Sequence, residues 1–182
     1  MTRFLPLLAV VSIFGNPATG QSQLGPGATA PDFTLPYATQ DTIVHEGISL
    51  TSLLSAGPIV LAFYPADWSG GCTKEMCTFR DNFAALSHLE VQVAGISGDY
   101  VHSHKAWARY HHLPFLLLSD HDHAVAKAYD SYNERSGYNR RTVYLIDAAG
   151  TITYVDTAYS VSNKESYDNL VHAVEKVARD TR

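Results

Sequence analysis

The run Ile59–Tyr64, with the sequence IVLAFY, constrains the fold of this chain more than any other segment. It is apolar or aromatic throughout, and no polar residue interrupts it. Successive side chains of a strand point to opposite faces, so a strand of this composition must be covered on both faces. Pro65 ends the run, and a short loop containing aspartate, serine and glycine follows it. The segment therefore predicts a central strand that leads through a loop into the next element.

That next element is a predicted helix over residues 71–89. Apolar side chains recur there at steps of three and four, which places them along one face of a helix. They are Cys72, Met76, Phe79, Phe83, Leu86 and Leu89.

The rest of the chain alternates between strand and helix patterns and then changes. The runs TVYLID and TITYVD flank a turn that contains Gly150, which is typical of a β-hairpin. Residues 161–179 close the chain as a predicted helix, with Ser162 or Asn163 as its candidate cap. The other predicted elements are strands at 31–36, 91–97 and 115–118, a short helix that ends before Gly57, and helices at 101–112 and 122–130.

These patterns predict an α/β fold, namely a thioredoxin-like three-layer sandwich with a mixed central sheet and helices on both faces. A flavodoxin-like doubly wound fold fits less well, because the late hairpin interrupts the alternation. The 182 residues are enough for one domain with a substantial core. Hydrophobic residues make up 46% and charged residues 17%, which is an ordinary globular composition.

The charge of the chain gives no sign of a nucleic-acid partner. The formal net charge is -5 and the sequence pI is about 5.9. Basic residues are scattered, and Arg140-Arg141 is their only doublet. We therefore expect no nucleic acid among the partners of this protein.

Residues 1–22 have the pattern of a secretory signal peptide. Arg3 supplies a positive charge, Phe4–Phe14 is apolar, and the small residues Ala18–Gly20 suit a cleavage site. We therefore expect a domain at 23–182 that is exported to the periplasm or the extracellular space, without stable membrane insertion after cleavage. The alternative, an uncleaved membrane anchor, is less favoured because the apolar run is shorter than the roughly 20 residues that span a bilayer.

The chain contains two cysteines, Cys72 and Cys77, five positions apart in the predicted helix. On an ideal helix that spacing corresponds to a rise of about 7.5 Å and a rotation of about 140°. The Cα atoms then lie roughly 8 to 9 Å apart, beyond the limit of about 7 Å for a disulfide. A disulfide between them therefore requires local unwinding. A transient disulfide fits this geometry better than a permanent one or than two unrelated core thiols.

Cys72 lies where the predicted helix begins. The N–H groups of a first helical turn have no partner inside the helix, and the helix dipole places partial positive charge there. A thiolate at this position is stabilised. The preceding Gly70 and Gly71 allow the backbone to approach a small ligand closely. The pattern therefore predicts that Cys72 is an activated nucleophile.

The segment YPADWSGGCTKEMC resembles the active-site segment of the peroxiredoxins. Their motif, P-x-x-x-[ST]-x-x-C, is filled here by Pro65, Ser69 and Cys72. A second cysteine five positions later is similar to the Q-type subgroup, also called bacterioferritin-comigratory-protein-like. The segments GATAPDFTLP, VQVAGIS, FLLLSD and RTVYLIDAAGTI resemble other parts of the family in the same order, so the similarity covers most of residues 26–180.

This resemblance implies a thiol peroxidase that acts on hydrogen peroxide and organic hydroperoxides. Cys72 would attack the peroxide and become a sulfenic acid, and Cys77 would resolve it as an intramolecular disulfide. Ser69 would offer its hydroxyl to the peroxide, Pro65 would shield the pocket, and Arg141 would stabilise the thiolate and the negative charge that develops on oxygen. The implied partners are the peroxide and a thioredoxin-like dithiol reductant, with no cofactor and no metal. A monomer or a weak dimer is expected.

Two positions complicate the match. Gly70 stands where Q-type relatives usually have a proline, and glycine loosens a loop. Arg140 neighbours Arg141 and competes for the role of the active-site arginine. Strand alternation places the two arginines on opposite faces, and alignment on YLID favours Arg141.

Several other side chains have simpler interpretations than a role in chemistry. Glu75 fits either a contact with the active-site arginine or an exposed position on the helix. Trp68 and Phe79 are interpreted as packing residues. The histidines between positions 102 and 123 are interpreted as solvated rather than metal-binding; they are His102, His104, His111, His112, His121 and His123.

Two rival functions use the same fold class. A thioredoxin-like disulfide oxidoreductase requires C-x-x-C, which this chain lacks. A copper-delivery protein of the Sco type requires C-x-x-x-C and a partner histidine, and it leaves Pro65, Ser69 and Arg141 unexplained.

Overall fold

The computed structural model describes residues 24–180, so the predicted signal peptide, residues 1–22, lies outside the described residues. The strands are β1 Thr34–Ala38, β2 Ile43–Ser49, β3 Ile59–Phe63, β4 Gln92–Ser97, β5 Leu116–Ser119, β6 Tyr132–Asn133, β7 Tyr138–Asn139, β8 Thr142–Ile146 and β9 Ile152–Asp156. The helices are α1 Leu50–Leu54, α2 Gly70–Asp81, α3 Phe83–His88, α4 Val101–His111, α5 Ala124–Ala128 and α6 Lys164–Asp180.

Seven strands form one mixed sheet in the order β2-β1-β5-β4-β3-β8-β9. The three inner strands β5, β4 and β3 are parallel, and the remaining pairs are antiparallel. Every residue of β3 is fully buried, as its unbroken apolar sequence predicts. The late hairpin is confirmed as β8–β9, and it adds to the sheet beside β3.

The residues of β3 divide between two hydrophobic clusters. Val60 and Ala62 pack with side chains from α2, α3, α4 and α6. Ile59, Leu61 and Phe63 pack on the other face with side chains from α1 and α5. Because a strand presents alternate residues to opposite faces, this division means that helices cover both sides of the sheet. The predicted three-layer sandwich with a mixed sheet is confirmed.

The predicted helix over residues 71–89 is in fact two helices. Asn82 separates α2 from α3, with φ -108° and ψ 6°. Its side-chain amide donates a hydrogen bond to the carbonyl of Thr78 over 2.8 Å. Asparagine competes in this way for backbone groups, which favours a helix end over its continuation.

Three strands, β2, β6 and β7, were not predicted from the sequence. The segment that forms β2 looks polar because it lies at the sheet edge and alternates weakly. Gly47 in β2 has φ +81°, and a Cβ there would lie 2.7 Å from the backbone of Leu35, so glycine is required. The short strands β6 and β7 contain only two residues each and pair with each other outside the main sheet.

The C-terminal helix begins at Lys164, slightly later than predicted. The side chain of Asn163 accepts a hydrogen bond from the backbone N–H of Glu165 over 3.1 Å, which confirms Asn163 as a cap.

Within residues 24–180, none of the helices has both the length and the apolar character needed to cross a membrane.

Candidate active site

The site is built where β3 leaves the sheet and α2 begins. Pro65 is half-buried and follows Tyr64 directly after the strand. Ser69 is the N-cap of α2, and its hydroxyl accepts a hydrogen bond from the backbone N–H of Cys72 over 3.4 Å. The same hydroxyl donates to the carbonyl of Ala66 over 3.2 Å. The cap therefore fixes the first turn of the helix and holds the Ser69 hydroxyl beside Cys72.

Cys72 lies in the first turn of α2 and is fully buried. The Nη2 of Arg141 donates to its Sγ over 3.4 Å. A guanidinium at this distance places a fixed positive charge beside the sulfur, in addition to the partial charge of the helix terminus. The Cys72 sulfur therefore faces both a guanidinium and the positive end of a helix.

Sheet topology explains how Arg141 reaches the cysteine. Strands β3 and β8 are antiparallel neighbours, and Phe63 pairs with Thr142. The residue before Thr142 therefore lies beside the loop that follows β3. Arg140, by contrast, is exposed, and its backbone N–H donates to the carbonyl of Ser131 over 2.6 Å. Of the two neighbouring arginines, Arg141 is the one in contact with Cys72.

Glu75 is fully buried one turn after Cys72, so the exposed interpretation of this carboxylate is wrong. Its Oε2 accepts a hydrogen bond from the Nη1 of Arg141. Within the described residues, its Oε1 has no hydrogen-bond partner. Burial raises the pKa of Glu75 to about 7, although Arg141 acts in the opposite direction. Burial lowers the pKa of Arg141, but Glu75 and Cys72 outweigh that effect and raise it overall.

Gly71 is a glycine because Arg141 occupies the space beside it. A Cβ on Gly71 would lie 2.7 Å from the Nη2 of Arg141. A Cβ on Gly70 would meet no other described atom within 4 Å. The two glycines therefore have different roles: Gly71 admits the guanidinium, and Gly70 leaves open space at the start of the helix.

Cys77 is half-buried in the same unbroken helix as Cys72, and both cysteines are free thiols. The Sγ of Cys77 lies 4.0 Å from the Nδ1 of His111 on α4. Each thiol therefore has its own basic neighbour, and the helix keeps the two sulfurs in separate surroundings.

A buried polar network surrounds Asp67 in the active-site loop, which is the loop between β3 and α2. The sequence patterns did not predict this network. Asp67 is buried in the loop, and its carboxylate accepts from the hydroxyls of Tyr64 and Ser103, both over 2.8 Å. The Nδ1 of His104 lies 2.9 Å from the same carboxylate. The backbone N–H of Asp67 donates to Asp99 over 2.7 Å. These contacts tie the loop before Cys72 to α4 and to the end of β4.

His104 has a polar neighbour at each ring nitrogen. Its Nδ1 lies 2.9 Å from the Asp67 carboxylate, and its Nε2 lies 3.2 Å from the carbonyl of Leu118. These two contacts hold the buried ring between the active-site loop and β5. Burial and the nearby Asp67 raise the pKa of Tyr64, which keeps this hydroxyl protonated as a donor.

The solvated interpretation of the histidine segment is therefore wrong for His104. Its position could have been inferred, because it lies on the apolar face of α4 together with Val101, Trp107 and Ala108. The neighbouring His102 and His112 are exposed. Among the side chains of residues 24–180, no group of three or more His, Cys, Asp or Glu could hold a metal ion.

Phe79 is a packing residue, as expected, and it stacks on Tyr159 with 5.7 Å between the ring centroids. Trp68 is different, because it remains 52% exposed and has the unusual φ of 60°. Its indole N–H donates to Ser103 over 3.2 Å. Its ring contacts Tyr110 and His111, with centroid distances of 5.8 and 6.2 Å.

Comparison with known proteins agrees with this fold and site. The chain matches the AhpC/TSA family over residues 26–155. It is 40% identical over 130 residues to a chloroplastic peroxiredoxin Q of Triticum aestivum, and the match covers 71% of this chain and 57% of that protein. It is also 40% identical over 135 residues to a putative peroxiredoxin bcp of Coxiella burnetii, covering 71% of this chain and 85% of the relative.

Among solved structures, the peroxidoxin BcpB of Mycobacterium tuberculosis is similar, with a TM-score of 0.71 and 31% identity. The match covers 87% of this chain and 99% of that one. The AhpC of Enterococcus faecalis has a TM-score of 0.74 at 22% identity, over 88% of this chain and 97% of that one, and shows the shared fold.

The chain therefore belongs to the AhpC/TSA family, with the thioredoxin-like fold of its peroxiredoxins. Within that family it is similar to the peroxiredoxin Q and bcp type, as the spacing of its two cysteines suggests. These relationships do not favour the disulfide oxidoreductase or the copper-delivery protein.

Proposed function

We propose that this protein is a thiol peroxidase in which Cys72 is the peroxidatic thiol. The observation that carries the proposal is the 3.4 Å contact between the Nη2 of Arg141 and the Sγ of Cys72, at the start of a helix. A sulfur placed between a guanidinium and a helix N-terminus is favoured as a thiolate, which is the nucleophilic form. Membership of the AhpC/TSA family supports the same reaction.

In the first step, the Cys72 thiolate attacks one oxygen of the peroxide. The O–O bond breaks, Cys72 becomes a sulfenic acid, and the second oxygen leaves as water or an alcohol after taking a proton. Arg141 lies where it can stabilise the charge that develops on the peroxide oxygens. Ser69, held as the helix cap, offers its hydroxyl to the substrate, and Pro65 shields the pocket. Hydrogen peroxide and small organic hydroperoxides are the proposed substrates.

In the second step, Cys77 condenses with the sulfenic acid and water is released. Both cysteines lie in α2, so the helix must unwind locally before the sulfurs can bond. In the third step, an external thioredoxin-like dithiol reduces the disulfide by thiol exchange.

Stopped-flow kinetics test the proposal. The reduced protein should consume hydrogen peroxide much faster than a free thiol does, and Cys72→Ser should abolish that reaction. If the wild-type protein reacts no faster than free cysteine at the same pH, the peroxidase proposal fails.

We further propose that the protein is exported and that residues 1–22 are removed as a signal peptide. The pattern of charged, apolar and small residues supports this. N-terminal sequencing of protein recovered outside the cytoplasm should begin near residue 23. Recovery of the intact N-terminus in a membrane fraction would instead indicate an anchor.

The proposed partner is an exported thioredoxin-like dithiol protein, and the proposed assembly is a monomer or weak dimer. Turnover with exported thioredoxin-like proteins as electron donors tests the first point, and the absence of turnover with all of them contradicts it. Light scattering of the reduced protein tests the second, and a stable larger oligomer contradicts it.

A further inference from the structure

We propose that His111 is the catalytic base that removes the proton of Cys77 when the disulfide forms. This inference rests on the proposed peroxidase function and concerns its second step. A sulfenic acid is attacked by a thiolate rather than by a thiol, so Cys77 must lose its proton at some point in the reaction.

The two side chains lie on facing helices. Cys77 is in α2 and His111 is in the last turn of α4, and the Sγ and Nδ1 atoms are 4.0 Å apart. This separation is at the long end for a hydrogen bond to sulfur. The contact brings a base to the second thiol while Cys72 has Arg141 as its own neighbour.

The imidazole is held by its surroundings. The rings of Trp107 and Tyr110 meet it edge-on, at interplanar angles of 82° and 79°. The Nη1 of Arg80, which also lies in α2, donates to the backbone carbonyl of His111 over 2.7 Å. That hydrogen bond joins the end of α4 to the same helix that carries Cys77, so the ring lies beside the thiol while α2 is intact, before the helix unwinds.

The electrostatic surroundings favour a neutral ring. Burial lowers the pKa of His111, and the neighbouring Arg80 and His112 lower it further. The titratable or charged groups around the ring are Cys77 and Arg80 on α2, and Tyr110 and His112 at the end of α4. The lowered pKa favours the uncharged ring, which has a lone pair that can accept a proton.

The step balances without an added oxidant or reductant. The S–H bond of Cys77 breaks and its proton passes to the Nδ1 of His111. The Cys77 sulfur then forms a bond to the sulfenic sulfur of Cys72, and the S–O bond breaks. The departing hydroxyl keeps its own hydrogen and takes one proton back from the imidazolium, so water is released and His111 is restored. Cys77 is oxidised and the sulfenic sulfur is reduced.

Single-turnover kinetics separate this step from the first. The reduced protein is mixed with one equivalent of hydrogen peroxide, and quenched samples are analysed for sulfenic acid and disulfide. In His111→Gln, sulfenic acid should form at the wild-type rate, and the disulfide should form at least about tenfold more slowly at pH 7. The matched control is His102→Gln, an exposed histidine on the same helix, and both of its rates should equal the wild-type rates.

The pH profile and chemical rescue distinguish a base from a packing residue. Disulfide formation in His111→Gln should become slower as the pH is lowered, because without the base only thiol that has already lost its proton reacts. The wild-type rate should fall less steeply. Imidazole added to His111→Ala should restore the rate.

Each other outcome has a distinct meaning. Disulfide formation at the wild-type rate and with the wild-type pH profile in His111→Gln would overturn the assignment of the base. Equal slowing of both steps without rescue by imidazole would also overturn it, because the role would then be structural. If the wild-type protein forms no sulfenic acid, the peroxidase function itself fails.

Discussion

Arg141 donates to the Sγ of Cys72 over 3.4 Å, although 69 positions separate the two residues in the chain. The antiparallel pairing of β3 with β8 brings them together. The other terminal nitrogen of the guanidinium is bound to the buried Glu75. The planar guanidinium of Arg141 therefore connects Cys72 to the buried carboxylate of Glu75. Its contacts with these two side chains fix its position.

We predict that Arg141→Lys lowers the rate of sulfenic acid formation by about 10² to 10³-fold, because an ammonium cannot bridge Cys72 and Glu75 as the guanidinium fork does. Stopped-flow measurement of peroxide consumption checks the prediction. Arg140→Lys is the matched control and should react at the wild-type rate, since Arg140 is exposed. Equal rates in the two variants would contradict the role assigned to Arg141.

The two glycines before Cys72 give a second prediction. Gly71→Ala should displace the guanidinium of Arg141, since the new Cβ would lie 2.7 Å from its Nη2. Displacement of about 1 Å in a catalytic group can reduce a rate by about 100-fold. The measurement is again the rate of sulfenic acid formation.

Gly70→Ala is the control for that experiment. It should keep the wild-type rate and increase the free energy of unfolding by roughly 0.5–1 kcal/mol, because alanine lowers the conformational entropy of the unfolded chain. If the two alanine variants have the same rate, the steric account of Gly71 is wrong.

Glu75 makes a pH-dependent contribution to stability. Its pKa is raised from 4.5 to about 7 in the folded protein, chiefly by burial. Between these values the folded state binds more protons than the unfolded state, so the contribution of Glu75 to stability falls as pH rises. In Glu75→Gln this loss is absent. The stability of the variant relative to the wild type should therefore increase by roughly 3 kcal/mol from pH 4.5 to pH 8.

Urea unfolding at a series of pH values measures this difference. A constant difference between Glu75→Gln and the wild type across the window would show that the carboxyl does not titrate there.

The buried pair of Asp67 and His104 gives a fourth prediction. Asp67→Asn replaces one of the carboxylate oxygens that Tyr64, Ser103 and His104 contact with an amide nitrogen, which cannot accept a hydrogen bond. A buried polar group that is left without its partner costs about 1–3 kcal/mol. We expect a decrease of that order in the free energy of unfolding, measured with urea.

Asp81→Asn is the matched control for Asp67→Asn. Asp81 pairs with Arg80 at the surface, with 62% of its side chain exposed, so its loss should cost about 0–1 kcal/mol. Comparable losses in the two variants would show that the buried network does not anchor the loop.

Much of the fold could be predicted because its signals are local. The apolar run Ile59–Tyr64, the helical spacing after Cys72 and the runs that form the β8–β9 hairpin each depend on neighbouring residues. The edge strand β2 could not be predicted in this way, because its exposed and half-buried residues do not alternate and its pairing with β1 is set by tertiary structure. The break at Asn82 depends on a single side-chain hydrogen bond that periodicity does not record.

The same distinction between local signals and tertiary structure applies to the candidate active site. Cys72, Ser69 and Pro65 lie in one segment, and the family motif that this segment resembles predicts them as site residues. The contacts of Arg141 with Glu75 and Gly71 depend on β8 lying beside β3, which no local pattern encodes. The pairing of His111 with Cys77 likewise depends on the packing of α4 against α2, and neither residue signals it alone.

Mass analysis of the oxidised protein tests the central claim, that Cys72 reacts first and Cys77 resolves it, most directly. After one equivalent of hydrogen peroxide, wild-type protein should carry a disulfide between Cys72 and Cys77. Cys77→Ser should instead carry a sulfenic acid that a dimedone probe traps at Cys72, and Cys72→Ser should remain unmodified. A dimedone adduct at Cys77, or oxidation of Cys72→Ser at the wild-type rate, would contradict the account.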